Sequence, residues 1–164
     1  MIAEILQDGL FAAIAAIGFA AISNPPRRAY LYCAAIAAAG HISRFLLMNT
    51  AGLECHIVIA STVAALIVGV LAVLLSPVAS VPAETCLFPS LLPMIPGIYA
   101  YKTFGGLVMC MYRGSEGEFN HYFYLFASNG ITCLFILLGM VVGATLPIFL
   151  MKHISFQATR RSLY

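Results

Sequence analysis

Ionisable side chains lie inside apolar stretches of this sequence, where a charge is costly and each such residue is a candidate functional group. Asp8 lies near the start of the first stretch. In the second stretch, His41 and Arg44 are three residues apart, so a helix would place both on one face. A histidine titrates near neutral pH and a guanidinium is permanently cationic, so the two suit a carboxylate or another anionic ligand. Asp8 or His41 would then carry a coupled proton.

Each of these residues also has a simpler interpretation. Arg44 lies about one turn from the outer end of its stretch, where it would reach the lipid headgroups or pair with Glu54 in the following loop. His41 would be a packed histidine bonded to a neighbouring carbonyl, and Asp8 an interfacial residue at a helix end. The residues alone leave both interpretations open.

A break in a helix is predicted between Pro89 and Gly97, inside a stretch otherwise apolar enough to cross a membrane. Proline removes a backbone donor and clashes with the preceding turn, so Pro93 and Pro96, followed by Gly97, cannot continue a regular helix. Lipid cannot satisfy the carbonyls that a break frees, so the break is tolerated only against protein or a water-filled cavity. Transporters use such discontinuous helices to face a substrate.

A helix that restarts at Gly97 would direct unpaired N–H groups and a positive dipole end towards the break, which favours an anion. Tyr101 and Lys102 follow that end closely, and we expect them beside the same ligand. Lys102 would otherwise extend to the headgroups. Asn129, in a later apolar stretch, is either a substrate contact or part of an interhelical hydrogen bond.

The composition is that of a membrane protein. Of 164 residues, 62% are hydrophobic and 9% are charged, and the mean hydropathy is +0.99, whereas a soluble domain has about 25% charged residues. The five cysteines show no C-x-x-C spacing, so we expect neither a disulfide framework nor a metal site. Motifs of phosphate binding and hydrolysis are absent, so we expect no cofactor, no nucleic-acid partner and no enzymatic activity.

The apolar stretches predict an all-α, polytopic integral membrane protein with a single transmembrane domain, 1–164. A bilayer core of about 30 Å needs about 20 residues of helix. Five segments qualify, the fourth broken at Pro93–Gly97: Ile5–Ile22, Ala29–Met48, His56–Leu75, Cys86–Tyr112 and Tyr122–Met151.

Positive residues next to span ends favour the cytoplasmic side. The 24–28 turn and the tail after Met151 together carry five lysines and arginines, and Arg113 stands on the opposite side. This distribution predicts an outside N-terminus and a cytoplasmic C-terminus.

Small residues at helical spacing indicate close helix packing. Ala12, Ala16 and Ala20 form one such pattern, and Gly139 and Gly143 form another. The two patterns pack either within this chain or at a subunit interface, which includes a possible homo-oligomer.

Taken together, the motifs resemble the threonine/serine exporter family, in its short-subunit form linked with succinate export in bacteria. The resemblance runs from about Gln7 to Leu150, and the order and spacing of the motifs carry it. The motifs are Asp8, Asn24-Pro-Pro-Arg-Arg28, Gly40-His41-x-Ser43-Arg44, Pro93-Met-Ile-Pro96-Gly97 and Asn129.

The resemblance implies a five-span subunit in a bacterial inner membrane, acting with a longer subunit that carries a soluble N-terminal part. It implies secondary export of small amino acids or dicarboxylates from the cytoplasm. On its basis seven residues are pathway candidates, while Tyr101 and Lys102 rest on the physical argument alone. The seven are Asp8, His41, Arg44, Pro93, Pro96, Gly97 and Asn129.

Two functions from different classes follow from these patterns. In the first, the chain is half of an exporter whose broken span binds a small anionic or zwitterionic substrate. In the second, it is a non-transporting assembly subunit that stabilises its partner, and the polar residues of its spans face lipid headgroups or helix contacts. An intramembrane enzyme would need a nucleophile motif, and none accompanies His41 and Asp8.

Overall fold

The computed structural model describes residues 2–49, 55–112 and 115–155, and within these ranges the chain is helical and contains no β-strand. A 3₁₀ turn, Leu92–Met94, lies between the fourth and fifth helices. The all-α, polytopic fold is therefore confirmed. The helices are α1 Ile2–Ser23, α2 Ala29–Asn49, α3 Ile57–Ala79, α4 Ala83–Leu91, α5 Gly97–Tyr112, α6 Glu116–Leu150 and α7 Lys152–Ser155.

Four of the five predicted spans are single helices, and α1, α2, α3 and α6 are long and apolar enough to cross a membrane. The fourth predicted span is divided into α4, the 3₁₀ turn and α5, and it is non-helical at Ile95 and Pro96. The predicted break therefore exists. The fifth span begins earlier than predicted, at Glu116, because Ser115 and Glu118 have the capping-box spacing and their side chains bond at 3.0 Å.

The helix α4 passes through Pro89 without ending there. Proline at this position leaves the carbonyl of Thr85 without its helical donor, and the thiol of Cys33 on α2 lies 3.8 Å from that oxygen. The hydroxyl of Ser90 lies 2.7 Å from the Cys86 carbonyl and 2.9 Å from the Cys33 carbonyl. Polar contacts from α2 thus compensate the proline, and the chain stays helical to Leu91.

The helices divide into two compact units. The first contains α1–α4, the 3₁₀ turn, and α6 from Gly139 onward with α7. The second contains α5 and α6 up to Leu138. A single transmembrane domain over 1–164 stays a prediction.

Small residues form the helix contacts of the first unit. Ala12, Ala16 and Ala20 are at most 3% exposed, and their helix packs against α2. A Cβ added at Gly139 or Gly143 would collide with Thr62 of α3. Both small-residue patterns therefore pack within this chain, which was one of the two alternatives that the sequence left open; the other was a subunit interface.

Contacts along α2 show that α4 runs parallel to it. Arg28, at the start of α2, donates from Nη2 to the Ser80 carbonyl just before α4, at 3.3 Å. Near the other end of α2, Arg44 reaches the Met94 carbonyl. The contacts of Gly69 with Ala144 and of Gly143 with Thr62 likewise make the end of α6 parallel to α3. These directions are those of successive spans that alternate across a membrane.

The break lies near the middle of α2. The Met94 sulfur would lie 3.4 Å from a Cβ added at Gly40, and Gly40 is the twelfth of the 21 residues of α2. With a rise of 1.5 Å per residue, Gly40 is about 16 Å from the start of this helix. In a bilayer core of about 30 Å, this depth is close to the midplane.

Candidate functional site

Asp8 of α1 and His41 of α2 are within hydrogen-bond distance of each other in the first unit. Nδ1 of His41 lies 3.3 Å from one carboxylate oxygen of Asp8 and 3.4 Å from the other. His41 is buried, and the Asp8 side chain is one-third exposed. Gly9 brings the two helices together, because a Cβ there would lie 2.8 Å from Cδ1 of Ile42. Asp8 is therefore not a residue that only marks a helix end, since α1 begins at Ile2.

The other ring nitrogen of His41, Nε2, is buried and makes no hydrogen bond of full geometry within the described ranges, although the backbone of Pro93 at the break lies near this ring. When Asp8 accepts the Nδ1–H, the lone pair of a neutral ring lies on Nε2. This nitrogen then takes up a proton or, once protonated, donates to an anion. A carboxylate that orients a histidine in this way also stabilises the protonated ring. The pair has the chemistry of a proton-binding site.

Arg44 stabilises the break from α2. Its Nη1 donates to the carbonyl of Met94 at 3.3 Å. In a continuous helix that carbonyl would accept the N–H of Ile98, and the break removes this partner. The guanidinium therefore reaches the backbone of the break. The alternative partner considered from the sequence, Glu54, lies outside the described residues.

The residues of the break are only partly as expected. The helix α5 does restart at Gly97, as predicted, and the N–H of Gly97 donates to the Ile95 carbonyl at 2.8 Å. A Cβ added at Gly97 meets no atom within 4 Å, so the position does not need glycine. Pro96 is buried, and Pro93 is half-buried.

The second unit contains a cavity of about 440 Å³ between α5 and α6, and the predicted residues Tyr101, Lys102 and Asn129 line it. Lys102 has no hydrogen bond or ion pair with any other described residue. It lies ten residues, about 15 Å of helix, before the end of α5 at Tyr112. Asn129 donates to the Leu125 carbonyl of its own helix at 2.7 Å, rather than to another helix. The polar lining residues are Tyr101, Lys102, Tyr122, Tyr124, Ser128 and Asn129.

The predicted site residues thus fall into two groups, one in each unit. Asp8, His41, Arg44 and Pro93 belong to the first unit, where Asp8 contacts His41 and Arg44 contacts the Met94 carbonyl. The second group comprises Pro96, Gly97, Tyr101, Lys102 and Asn129.

Some residues that shape these groups were missed in the sequence. The role of the Met94 carbonyl could not be read from the sequence, because every residue has a backbone carbonyl. Gly40 lets α3 approach α2, because a Cβ there would collide with Val68. Gly106 brings α5 within 2.8 Å of the Phe126 nitrogen, as measured from a Cβ added there. The Gly105-Gly106 pair within an apolar helix was a readable signal of that close approach.

Within the part of the chain that the structure describes, no three His, Cys, Asp or Glu side chains are arranged to hold a metal ion. The five cysteines are all free thiols, and none forms a disulfide bond.

Residues 8–150 match the family model described as "Threonine/Serine exporter, ThrE". An uncharacterized protein of Haemophilus influenzae is 37% identical to the chain over 145 residues, which cover 88% of the chain and 46% of that relative. The chain therefore spans less than half the length of this relative. No solved structure matches the chain. Since the family model covers most of its length, this multi-pass membrane protein belongs to the threonine/serine exporter family.

Proposed function

We propose that this chain is a membrane subunit of a secondary exporter of small carboxylate-bearing metabolites. The substrate class comprises threonine and serine, after which the family is described, and succinate-like dicarboxylates. A longer subunit with a soluble N-terminal part completes the transporter, and this partner rests on the resemblance of the motifs alone. The complex lies in a bacterial inner membrane.

The observation that supports transport best is the polar cluster at the break. A histidine–carboxylate pair and a guanidinium bonded to a backbone carbonyl of the break lie near the middle of apolar helices, where charged groups are expensive. Transporters place substrate sites at the same depth, beside discontinuous helices. If these side chains served only packing, apolar residues of similar volume could take their place at little cost in stability.

The cluster divides the chemistry of transport between its members. Arg44 offers a permanent positive charge to the substrate carboxylate, and Nε2 of His41 donates to the same group once the ring is protonated. Asp8 holds the protonated ring, so substrate and proton are bound together. Release of the proton from His41 weakens the hold on the carboxylate and promotes release of the substrate.

The second unit extends the pathway in this proposal. Lys102 attracts the carboxylate, and Tyr101 and Asn129 contact the substrate along the cavity between α5 and α6. The open volume of about 440 Å³ is sufficient for a molecule of this size.

A second candidate function has its own support. The bond from Arg44 to the Met94 carbonyl is also what an assembly subunit would need, because it stabilises a broken helix without any substrate. The two functions differ in what His41 does: a scaffold needs no proton-binding group with a buried nitrogen that makes no hydrogen bond of full geometry.

Uptake of labelled threonine and succinate into inverted vesicles that contain this chain and the longer subunit tests the proposal. We expect His41→Ala to lower uptake about tenfold or more at unchanged protein abundance, because a charge-assisted hydrogen bond to the substrate is lost. His153→Ala is the matched control, since this exposed histidine lies on α7. Full uptake by His41→Ala would exclude the assigned site, and the absence of uptake by the parent chain would favour the scaffold.

A further inference from the structure

The carbonyl of Met94 has one described hydrogen bond, and Arg44 supplies it. Met94 is fully buried, and its sulfur packs at Gly40. The neighbouring residues Ile95 and Pro96 are not helical, so no backbone N–H replaces the guanidinium. The position of the break against α2 therefore depends on a side chain rather than on the helix itself.

The same guanidinium lies on the helix face that carries His41. Nη1 of Arg44 is used by Met94, while no described residue accepts from the other N–H groups. Nε2 of His41 also makes no hydrogen bond of full geometry with a described residue. A carboxylate that accepts from both residues draws the guanidinium towards His41. The bond to Met94, which is already long at 3.3 Å, is then given up.

The two acceptors are unequal. A carboxylate carries a full negative charge and can accept two parallel N–H bonds from a guanidinium, whereas the Met94 carbonyl is neutral and accepts one. A carboxylate that enters the cluster therefore outcompetes the Met94 carbonyl for Arg44. The freed carbonyl then has no partner in an apolar environment, so the break is no longer held in place.

We propose that Arg44 is a ligand-operated latch on the broken span. With the cluster empty, the guanidinium holds Met94 against α2; with a carboxylate bound, it transfers to the ligand and releases the break. Arg44 is thus a positioning residue for the hinge as well as a contact for the ligand. This inference rests on the proposed function, because it concerns the same cluster and the same carboxylate class of substrate.

The rate at which a maleimide labels Met94→Cys measures the latch directly. The substitution keeps the backbone carbonyl, and the side chain at this position is buried while the break is held. The background carries serine at the partly exposed Cys55, Cys110 and Cys133, and it retains the buried Cys33 and Cys86. This background without Met94→Cys gives the labelling that the retained thiols contribute.

We expect saturating threonine or succinate to raise the labelling rate of Met94→Cys about tenfold, and L-threoninol and succinamide, which lack a carboxylate, to leave it unchanged. Adding Arg44→Gln should give the fast rate without any ligand. The matched control is Arg28→Gln, because Arg28 also donates to a backbone carbonyl at 3.3 Å but at the exposed end of α2. With Arg28→Gln, the labelling rate of Met94→Cys should stay slow without ligand and rise with ligand, as it does in the parent.

The outcomes separate the latch from the proposed function. Slow labelling of the Arg44→Gln variant would overturn the latch, whatever the vesicles transport. If a substrate that the same membranes transport leaves the maleimide labelling rate of Met94→Cys unchanged, the competition between carboxylate and carbonyl for Arg44 is overturned. Fast labelling of Arg44→Gln in membranes that transport neither substrate would support the latch and contradict the proposed function.

Discussion

At the scale of single residues, the polar cluster depends on side chains that come from two helices. His41 and Arg44 share a face of α2, but the carboxylate that orients His41 comes from α1. Gly9 allows α1 to approach α2 at this cluster, and Gly40 allows α3 to pack against α2. The proposed proton-binding chemistry therefore belongs to the α1–α2 contact rather than to one residue.

We predict that Asp8→Asn separates proton coupling from substrate binding. The amide keeps the size of the side chain but cannot stabilise a protonated His41 by charge. Net uptake driven by a pH gradient should fall about tenfold or more, while exchange of labelled for unlabelled threonine or succinate continues. Glu84→Gln on the exposed surface of α4 is the control. Gradient-driven uptake at the parent rate would contradict the assignment of Asp8.

Gly97 gives a second test at this scale. Since no atom lies within 4 Å of an added Cβ, we expect Gly97→Leu to leave the melting temperature of the purified protein nearly unchanged. If the first turn of α5 receives the substrate, the added side chain covers it and uptake falls. A variant that folds and transports normally would remove this helix end from the pathway.

At the scale of the elements, α4 remains a helix because α2 supplies what its proline removes. The Ser90 hydroxyl is buried between the carbonyls of Cys86 and Cys33. We predict that Ser90→Ala lowers the free energy of unfolding by about 1–3 kcal/mol, because the loss leaves a buried carbonyl with weaker pairing. Ser23→Ala, at the exposed end of α1, should have almost no effect in the same thermal denaturation measurement.

The contact between α3 and the end of α6 leaves no room for a side chain. A Cβ at Gly69 would lie 2.6 Å from the Ala144 carbonyl oxygen, which belongs to the backbone and cannot rotate away. Gly69→Ala should therefore destabilise the protein by about 1–3 kcal/mol. Gly18→Ala on α1 is the matched control, because its Cβ meets nothing within 4 Å. Equal melting temperatures for the two variants would show that this contact is not formed.

At the scale of the whole molecule, the helix directions agree with the alternation of five spans. The bond from Arg28 to the Ser80 carbonyl places the basic 24–28 turn and the α3–α4 connection at the same end of the first unit. Positive charge at that end favours the cytoplasm. The orientation proposed from the sequence therefore extends to the α3–α4 connection, which carries no lysine or arginine of its own.

We predict that a membrane-impermeant maleimide labels Ser115→Cys on intact cells, whereas it labels Ser80→Cys only after the membrane is opened. Both positions are exposed, and they lie at opposite ends of the fourth predicted span. The variants are made in a background in which Cys55, Cys110 and Cys133 are serine. The reverse pattern of labelling would invert the proposed topology.

Much of this protein could be predicted without coordinates. The membrane class, the five apolar segments and the break before Gly97 follow from hydropathy and from the inability of proline to donate a backbone hydrogen bond. The spacing of His41 and Arg44 likewise predicted a shared face, because helical periodicity is local. The continuation of α4 through Pro89 could not be predicted, because its compensation comes from Cys33, more than 50 residues earlier.

The sequence by itself determined which polar groups lie within the spans, since burial of apolar residues and the chemistry of proline act locally. Only the tertiary structure decided the partners of those groups. Asp8 pairs with His41 because Gly9 lets α1 approach α2 closely, and Arg44 bonds to the Met94 carbonyl because the break packs beside α2. A backbone carbonyl carries no mark in the sequence, and its partner depends on how distant segments pack.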